Sequence, residues 1–152
     1  MMATLIVVAT MTGTAEMVGE DILAAIGPER AQMLPAERVD LSASLNGVET
    51  LLVVSSTYGN GEVPEPAKPL YAAIESANRL QGPVRYGVIG LGDKSLYPDT
   101  FARGGQLWDS LLADKGLARA SDPLLVDCST SQAISDESIA WVQTWLMAEG
   151  VH

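Results

Sequence analysis

The 152-residue sequence contains one cysteine, Cys128, and one histidine, His152. A single thiol cannot close an intrachain disulfide, and a lone imidazole at the last position gives the body of the chain no histidine-based triad. Together the two cannot furnish a zinc site of Cys and His ligands. Lys and Arg number 9 against 19 Asp and Glu, a net charge of −10. Few cations argue against nucleic acid as a partner, because that binding rests on basic side chains displacing counterions. No run approaches the roughly 18 apolar residues of a membrane span. The opening stretch Met1–Ala9 is apolar but carries no basic n-region and no small-residue cleavage site. A cytoplasmic, monomeric protein with neither membrane nor nucleic-acid partners is expected. Its negative charge serves solubility and favours partners that present a basic face.

A chain of this length buries roughly 70% of the surface its unfolded form exposes, so no covalent or metal staple is needed. No repeat, charge block or low-complexity linker divides it, and residues 1–152 read as one domain. Apolar runs of strand length occur at Thr4–Ala9, Thr50–Ser56, Val84–Leu91 and Leu124–Cys128. None alternates polar with apolar residues, the pattern expected when helices cover both faces of a parallel sheet. A further strand lies near Ala31–Leu34 or Arg38–Leu41.

Helical stripes separate these runs: Val18, Ile22 and Ile26; then Leu70, Ala73, Ile74 and Ala77 within Pro66–Asn78. Leu107, Trp108, Leu111 and Leu112 form the next stripe, and Ile139, Val142, Trp145 and Leu146 the last. Alternating strands and helices imply an α/β sandwich with right-handed crossovers. Trp141 and Trp145 read as helix packing, and Cys128 as a small core residue.

In such folds ligands bind beyond the carboxyl ends of the strands, so the loops after the strands carry the functional information. The first is Thr10-Met11-Thr12-Gly13-Thr14-Ala15-Glu16, entering a helix. Hydroxyls, a glycine and free helix-start amides suit a phosphate, although a capping Thr and a turn Gly read equally well. No Lys or Arg lies between Met1 and Ile26, so a phosphate here would be held by neutral donors. The spacing is neither the nucleotide P-loop nor the dinucleotide GxGxxG turn.

The second loop is Ser55-Ser56-Thr57-Tyr58-Gly59-Asn60-Gly61-Glu62-Val63-Pro64. Its glycines permit close backbone approach, and Tyr58 offers either a stacking face or packing on a neighbouring helix. The third, Gly90-Leu91-Gly92-Asp93-Lys94-Ser95-Leu96-Tyr97-Pro98-Asp99-Thr100-Phe101, adds a second tyrosine. Two loop tyrosines beside a phosphate-type turn describe a slot for a planar ring with a phosphorylated tail.

These loops resemble a short-chain flavodoxin of the MioC and YqcA type, and the FMN domains of diflavin reductases. The turn Thr10–Glu16 matches the pattern S/T-x-T-G-x-T/A-E, and Ser56–Glu62 matches S-T-Y/W/H-G-x-G-D/E. Arg85–Asp93, Gly104–Asp109, Leu124–Asp127 and Trp141–Trp145 extend the likeness over nearly the whole chain. The resemblance implies a flavodoxin-like three-layer sandwich, a five-stranded parallel sheet in the order 2-1-3-4-5 with helices on both faces. Flavodoxin is a standard example of that order, with its ligand at the switch between strands 1 and 3.

FMN is the implied cofactor. Thr10, Met11, Thr12, Gly13, Thr14 and Ala15 would wrap its phosphate, and Ser56 and Thr57 of the second flavin loop would also bind the cofactor. Tyr58 would cover one face of the ring and Tyr97 the other. Gly59 would offer its carbonyl to the reduced flavin N5–H by a peptide flip, and Asn60 and Gly61 of the same loop would also bind the cofactor. Leu91, Gly92 and Asp93 would meet the pyrimidine edge, and Asp127 would stand near the flavin. The chain departs from the family's usual G-D-S-S-Y-x-x-F by about two extra residues, and Leu96 falls at the usual tyrosine, so Tyr97 or Leu96 covers the second face. The insertion that long-chain flavodoxins carry in the last strand is absent.

By resemblance the protein is a one-electron carrier, fed by an NADPH-dependent reductase of the flavodoxin/ferredoxin type and donating to a redox enzyme with a basic docking face. Negative charge around Glu62, Asp93 and Asp127 would make an anionic reduced flavin strongly reducing. No constellation for substrate catalysis is present. The other readings are an FMN-dependent quinone or nitro reductase, and a flavin-free interaction protein of the same fold.

Overall fold

The computed structural model describes residues 3–11, 13–58 and 61–147. The first apolar run is β1 (Thr4–Ala9), which enters α1 (Thr14–Ile26) and returns as β2 (Ala31–Pro35). Next come β3 (Thr50–Ser55), α2 (Lys68–Ser76), β4 (Arg85–Gly92) and α3 (Arg103–Asp114). Two short strands, β5 (Ala118–Arg119) and β6 (Leu124–Asp127), precede α4 (Ile134–Val142), which runs on into a π turn at Gln143–Met147.

The strands pair in parallel in the order β2-β1-β3-β4, with Thr4 opposite Ala31 on one side and Thr50 on the other. The position beyond β4 is divided. β5 lies along Arg85 and Tyr86, and β6 along residues 89–92. The expected order is therefore present, with a sixth strand attached. Pro123, which has no N–H to give a ladder, stands immediately before β6.

Of the two candidates for the second strand, the chain uses the earlier. At the later one Ala36–Arg38 forms a 3-10 turn. Asp40 Oδ1 then accepts the Ser42 N–H at 2.9 Å, the Ser42 hydroxyl at 2.7 Å and the Ala43 N–H at 3.1 Å. An aspartate that satisfies the following backbone donors in this way favours a turn over a ladder.

The lack of alternation in the strands follows from burial on both faces. Leu5, Val7, Leu51, Val53, Tyr86 and Val88 share one core with Leu70 and Ile74 of α2 and Trp108, Leu111 and Leu112 of α3. Ile6, Val8, Leu52, Val54, Ile89 and Leu91 share the other with Val18 and Ile22 of α1 and Val142 and Trp145. Close approach decides two positions. A Cβ at Gly19 would lie 2.8 Å from Val8 Cγ2, and one at Gly87 would lie 2.5 Å from Trp145 Cζ2. Trp141 and Trp145 pack edge to face at 5.3 Å, so both tryptophans belong to the packing of α4.

Among the buried polar groups, Tyr86 and Asp109 are paired with each other, whereas the Trp145 indole N–H is buried without a hydrogen-bond partner among the described residues. Tyr86 Oη donates to Asp109 Oδ1 at 2.7 Å, and Arg119 also pairs with Asp109. Burial raises the Tyr86 pKa above its ordinary value.

Leu52 is fully buried on the α1/α4 face, whereas Val84 is 61% exposed although the sequence places both in apolar runs. Leu52→Ala is expected to lower the unfolding free energy by about 2–5 kcal/mol. Val84→Ala should change it by no more than about 0.5 kcal/mol. Urea unfolding of both variants checks the contrast.

Candidate functional site

The loops after β1, β3, β4 and β6 gather at one end of the sheet, where parallel strands present their carboxyl ends. After β1, Thr10 Oγ1 accepts the Gly13 N–H at 3.0 Å. Gly13 sits at φ +97°, the left-handed conformation that glycine tolerates without strain, and it opens α1. No described side chain caps this helix. Its first-turn amides and positive end are therefore left for an anion.

Ser56, just beyond β3, brings its hydroxyl to 3.4 Å from Thr10 Oγ1, so two loops contribute hydroxyls at the helix start. Ala15 is buried and has only its backbone to offer, while Met11 is half exposed. Thr12 lies outside the described residues, as do Gly59 and Asn60.

A cleft of about 590 Å³ opens beside this turn, lined by Thr10, Met11, Gly13, Glu16, Met33 and Arg38 among others. Arg38 lines this cleft together with Glu16 and Glu37, so one cation stands near a turn that itself contains none. The charge comes from the segment after β2, which stands beside β1 in space but far from the turn in sequence.

In the second loop, Tyr58 and Glu62 exchange backbone bonds, with Tyr58 N–H donating to the Glu62 carbonyl at 2.7 Å and Glu62 N–H to the Tyr58 carbonyl at 2.9 Å. Gly61 takes φ +109°, and a Cβ there would fall 2.9 Å from Arg103 Cδ, which ties this turn to the start of α3. Tyr58 is 39% exposed. The Thr57 side chain faces inward, bonded at 3.1 Å to the Leu91 carbonyl and at 3.1 Å to the Gly104 N–H. Glu62 is paired with Lys68 at 2.8 Å, and that bond holds its carboxyl below the usual range. Lys68 bonds Glu65 at the same distance, and its own pKa is raised by both partners.

In the third loop the Leu91 side chain is buried in the core, leaving only its backbone toward the site. Gly92 accommodates Ala102, whose nitrogen would lie 2.6 Å from an added Cβ. Its carbonyl accepts the Cys128 N–H at 2.8 Å. Asp93 Oδ1 accepts the Ser95 N–H at 3.0 Å and the Leu96 N–H at 3.1 Å, and the Asp93 carbonyl accepts the Tyr97 N–H at 2.9 Å. The aspartate thus builds the turn that presents Tyr97. Tyr97 is 42% exposed and Leu96 68% exposed.

Asp127, at the end of β6, reaches across to this turn, and its Oδ1 accepts the Lys94 N–H at 3.1 Å. The same oxygen accepts the Ser129 hydroxyl at 2.6 Å. The Ser129 hydroxyl and then the Lys94 amide lower the Asp127 pKa below the ordinary carboxylate value.

A cleft of about 160 Å³ lies where these loops meet. It is lined by Thr14, Ser56, Thr57, Leu91, Gly92, Asp93 and Tyr97, and also by Thr100, Phe101, Ala102 and Cys128. Cys128 is half-buried, packed against the α1/α4 core on one side and lining this cleft on the other, and burial raises its thiol pKa. Phe101 and Ala102 were not expected as lining residues. Ala102 holds φ +53°, the one non-glycine residue with positive φ among those described. The adjacent Gly104-Gly105 pair was the available signal, since both approach backbone of neighbouring strand ends. No cluster of His, Cys, Asp and Glu able to hold a metal occurs among the described residues.

Comparison with known proteins agrees with this geometry. The Flavodoxin family profile matches residues 6–141. Flavodoxin YqcA of Pectobacterium carotovorum subsp. carotovorum is 38% identical over 141 residues, 92% of each chain. A cysteine-to-alanine mutant of flavodoxin from Pseudomonas aeruginosa superimposes with a TM-score of 0.83 at 34% identity, covering 94% of this chain and 95% of that one. The Sulfite reductase (NADPH) flavoprotein alpha-component of Neisseria meningitidis serogroup C is 32% identical over 128 residues, 82% of this chain but 21% of that protein. With a matched profile across most of its length, the described strand order and loops that meet at one end of the sheet, this chain belongs to the flavodoxin family.

Proposed function

We propose that this protein binds FMN and shuttles single electrons from a reductase to an acceptor redox enzyme. The observation that carries the reading is the uncapped start of α1, where the hydroxyls of Thr10 and Ser56 meet beside a cleft lined by Tyr97. An anionic tail and a planar head fit that pairing of open amides with an aromatic-lined slot.

FMN supplies the redox chemistry by accepting and releasing electrons one at a time, and the protein supplies binding, orientation and electrostatics. Thr10 to Ala15 and Ser56 would hold the phosphate through hydroxyls and amides, with Arg38 adding a distant positive charge. The backbone at Leu91, Gly92 and Asp93 would meet the pyrimidine edge. Tyr58 and Tyr97 would lie against the ring. Tyr97 is favoured over Leu96 because it lines the cleft while Leu96 is largely exposed.

The electrostatics favour a low potential. Asp93 and Asp127 both serve as acceptors for loop amides, and the bonds to Asp127 favour its ionised form. Of the acidic groups near the second loop, Glu62 is partly offset by Lys68. The relationship to a diflavin reductase component supports redox enzymes as partners in general. With a net charge of −10, docking to a basic face on a donor or acceptor follows from electrostatic steering.

The purified protein is expected to be yellow, and acid release should yield FMN in a one-to-one ratio. A colourless protein that refuses added FMN would remove the reading, and steady NADPH oxidation without a separate reductase would replace the carrier by a reductase.

Stopped-flow reduction by a flavodoxin reductase should slow by about tenfold or more between low and high ionic strength. Rates that stay flat would exclude the basic docking partner.

The folded pKa of Asp127 lies below its unfolded one, so its contribution to stability is complete above the unfolded value and is lost as pH falls through the folded value. A carbon-13 titration should place its midpoint below the ordinary aspartate value of about 3.9. Asp127→Asn should lose less stability on acidification than the parent; a midpoint at or above the ordinary value contradicts the bonds assigned to it.

A further inference from the structure

Thr57 immediately precedes Tyr58 in the second loop, yet its hydroxyl is occupied within the protein. Its single proton goes to the Leu91 carbonyl at 3.1 Å, and its oxygen accepts the Gly104 N–H at 3.1 Å. Each partner belongs to a different element. Leu91 is near the end of β4, directly before Gly92 and Asp93, and Gly104 is in the first turn of α3. The residue before α3, Ala102, provides no side-chain cap, so the hydroxyl of Thr57 satisfies a helix-start donor from another loop.

The fit depends on Gly104 having no side chain. A Cβ there would lie 2.5 Å from the Ser56 carbonyl oxygen and 3.2 Å from both Thr57 Cα and Thr57 Oγ1. One turn further along α3, Trp108 Nε1 donates to Ser55 Oγ at 3.1 Å, and Ser55 Oγ donates to the Ser56 carbonyl at 2.9 Å. The helix is thereby seated at the end of β3 at two points, Ser55 and Thr57, on either side of Ser56.

We propose that the Thr57 hydroxyl is a positioning group that fixes the second loop against the third, and that the bare Cα of Gly104 is what allows it to do so. Loop spacing then sets how Tyr58 and the backbone at Gly92 and Asp93 meet the flavin. This role rests on the FMN reading, but the strut itself is testable without the cofactor. Thr57 acts through other residues and touches no reacting atom. Replacing its hydroxyl by a methyl leaves both the Leu91 carbonyl and the Gly104 N–H without their partner in a partly buried place, where such loss is costly.

The experiment compares the parent with Thr57→Val, Thr57→Ser and Gly104→Ala. Amide exchange at Gly104 is followed by NMR in flavin-free protein, and FMN affinity and both one-electron potentials are measured in the loaded protein. In the parent the Gly104 amide should be protected; exchange at the free-peptide rate overturns the proposal before any variant is made.

Thr57→Val should raise that exchange about tenfold or more, weaken FMN binding about tenfold and move the potentials, while Thr57→Ser restores all three. Gly104→Ala keeps the hydroxyl and the amide yet forces them apart, so it should act like Thr57→Val and serves where that variant does not fold. Weaker FMN binding with unchanged Gly104 exchange would make Thr57 a direct ligand contact and overturn the proposal. So would failure of the serine variant to rescue, or parent-like affinity and potentials in Thr57→Val. If the parent itself binds no FMN, the functional reading fails, and the exchange data alone still decide whether the strut exists.

Discussion

Burial of both faces of a parallel sheet is the constraint on which the rest of this molecule depends. With α1 and α4 on one face and α2 and α3 on the other, the strands must be apolar throughout, and all of them end on the same side. The chain leaves β1 toward one face and β3 toward the other. The loops that follow these neighbours diverge, and the crevice between them opens where the helix start of α1 is exposed. A site with hydroxyls from two loops and an aromatic-bearing third loop is a consequence of that topology.

Polar side chains at this end mostly hold loops in place. Asp93 builds its own turn, Asp127 anchors that turn at Lys94, and Thr57 joins β4 to α3. Each satisfies backbone donors or acceptors at the loop ends, those of Asp93 and Asp127 exposed and those of Thr57 partly buried. The clefts at this end are lined by backbone, a few hydroxyls and the ring of Tyr97. Such a surface suits a cofactor that brings its own chemistry, with ionised carboxylates close by to shape its potentials.

Much of this was legible in the sequence. The apolar runs at residues 4–9 and 50–55 gave the sheet interior, because strands covered on two sides cannot alternate. The stripe of Val18 and Ile22 gave α1, and the turn before it gave the candidate anion site. Other features were not legible. Arg38 reaches the first loop only because β2 pairs with β1, a relation between segments far apart in the chain. The side chain of Thr57 reads as a ligand contact by its place in a loop motif, and its inward turn depends on the arrival of α3.

Local chemistry accounts for the difference. Residue order alone determined the alternation of strands and helices, the family likeness, and the glycines and hydroxyls at strand ends, since each depends on neighbours within a few positions. Tertiary structure decided which candidate became β2, how the fifth strand position was divided, that Tyr97 and not Leu96 lines the cleft, and that Cys128 sits at that cleft. These outcomes depend on pairing and packing between distant segments: β2 and β6 join strands far from them in the chain, and Asp127 meets Lys94 only after the sheet has formed.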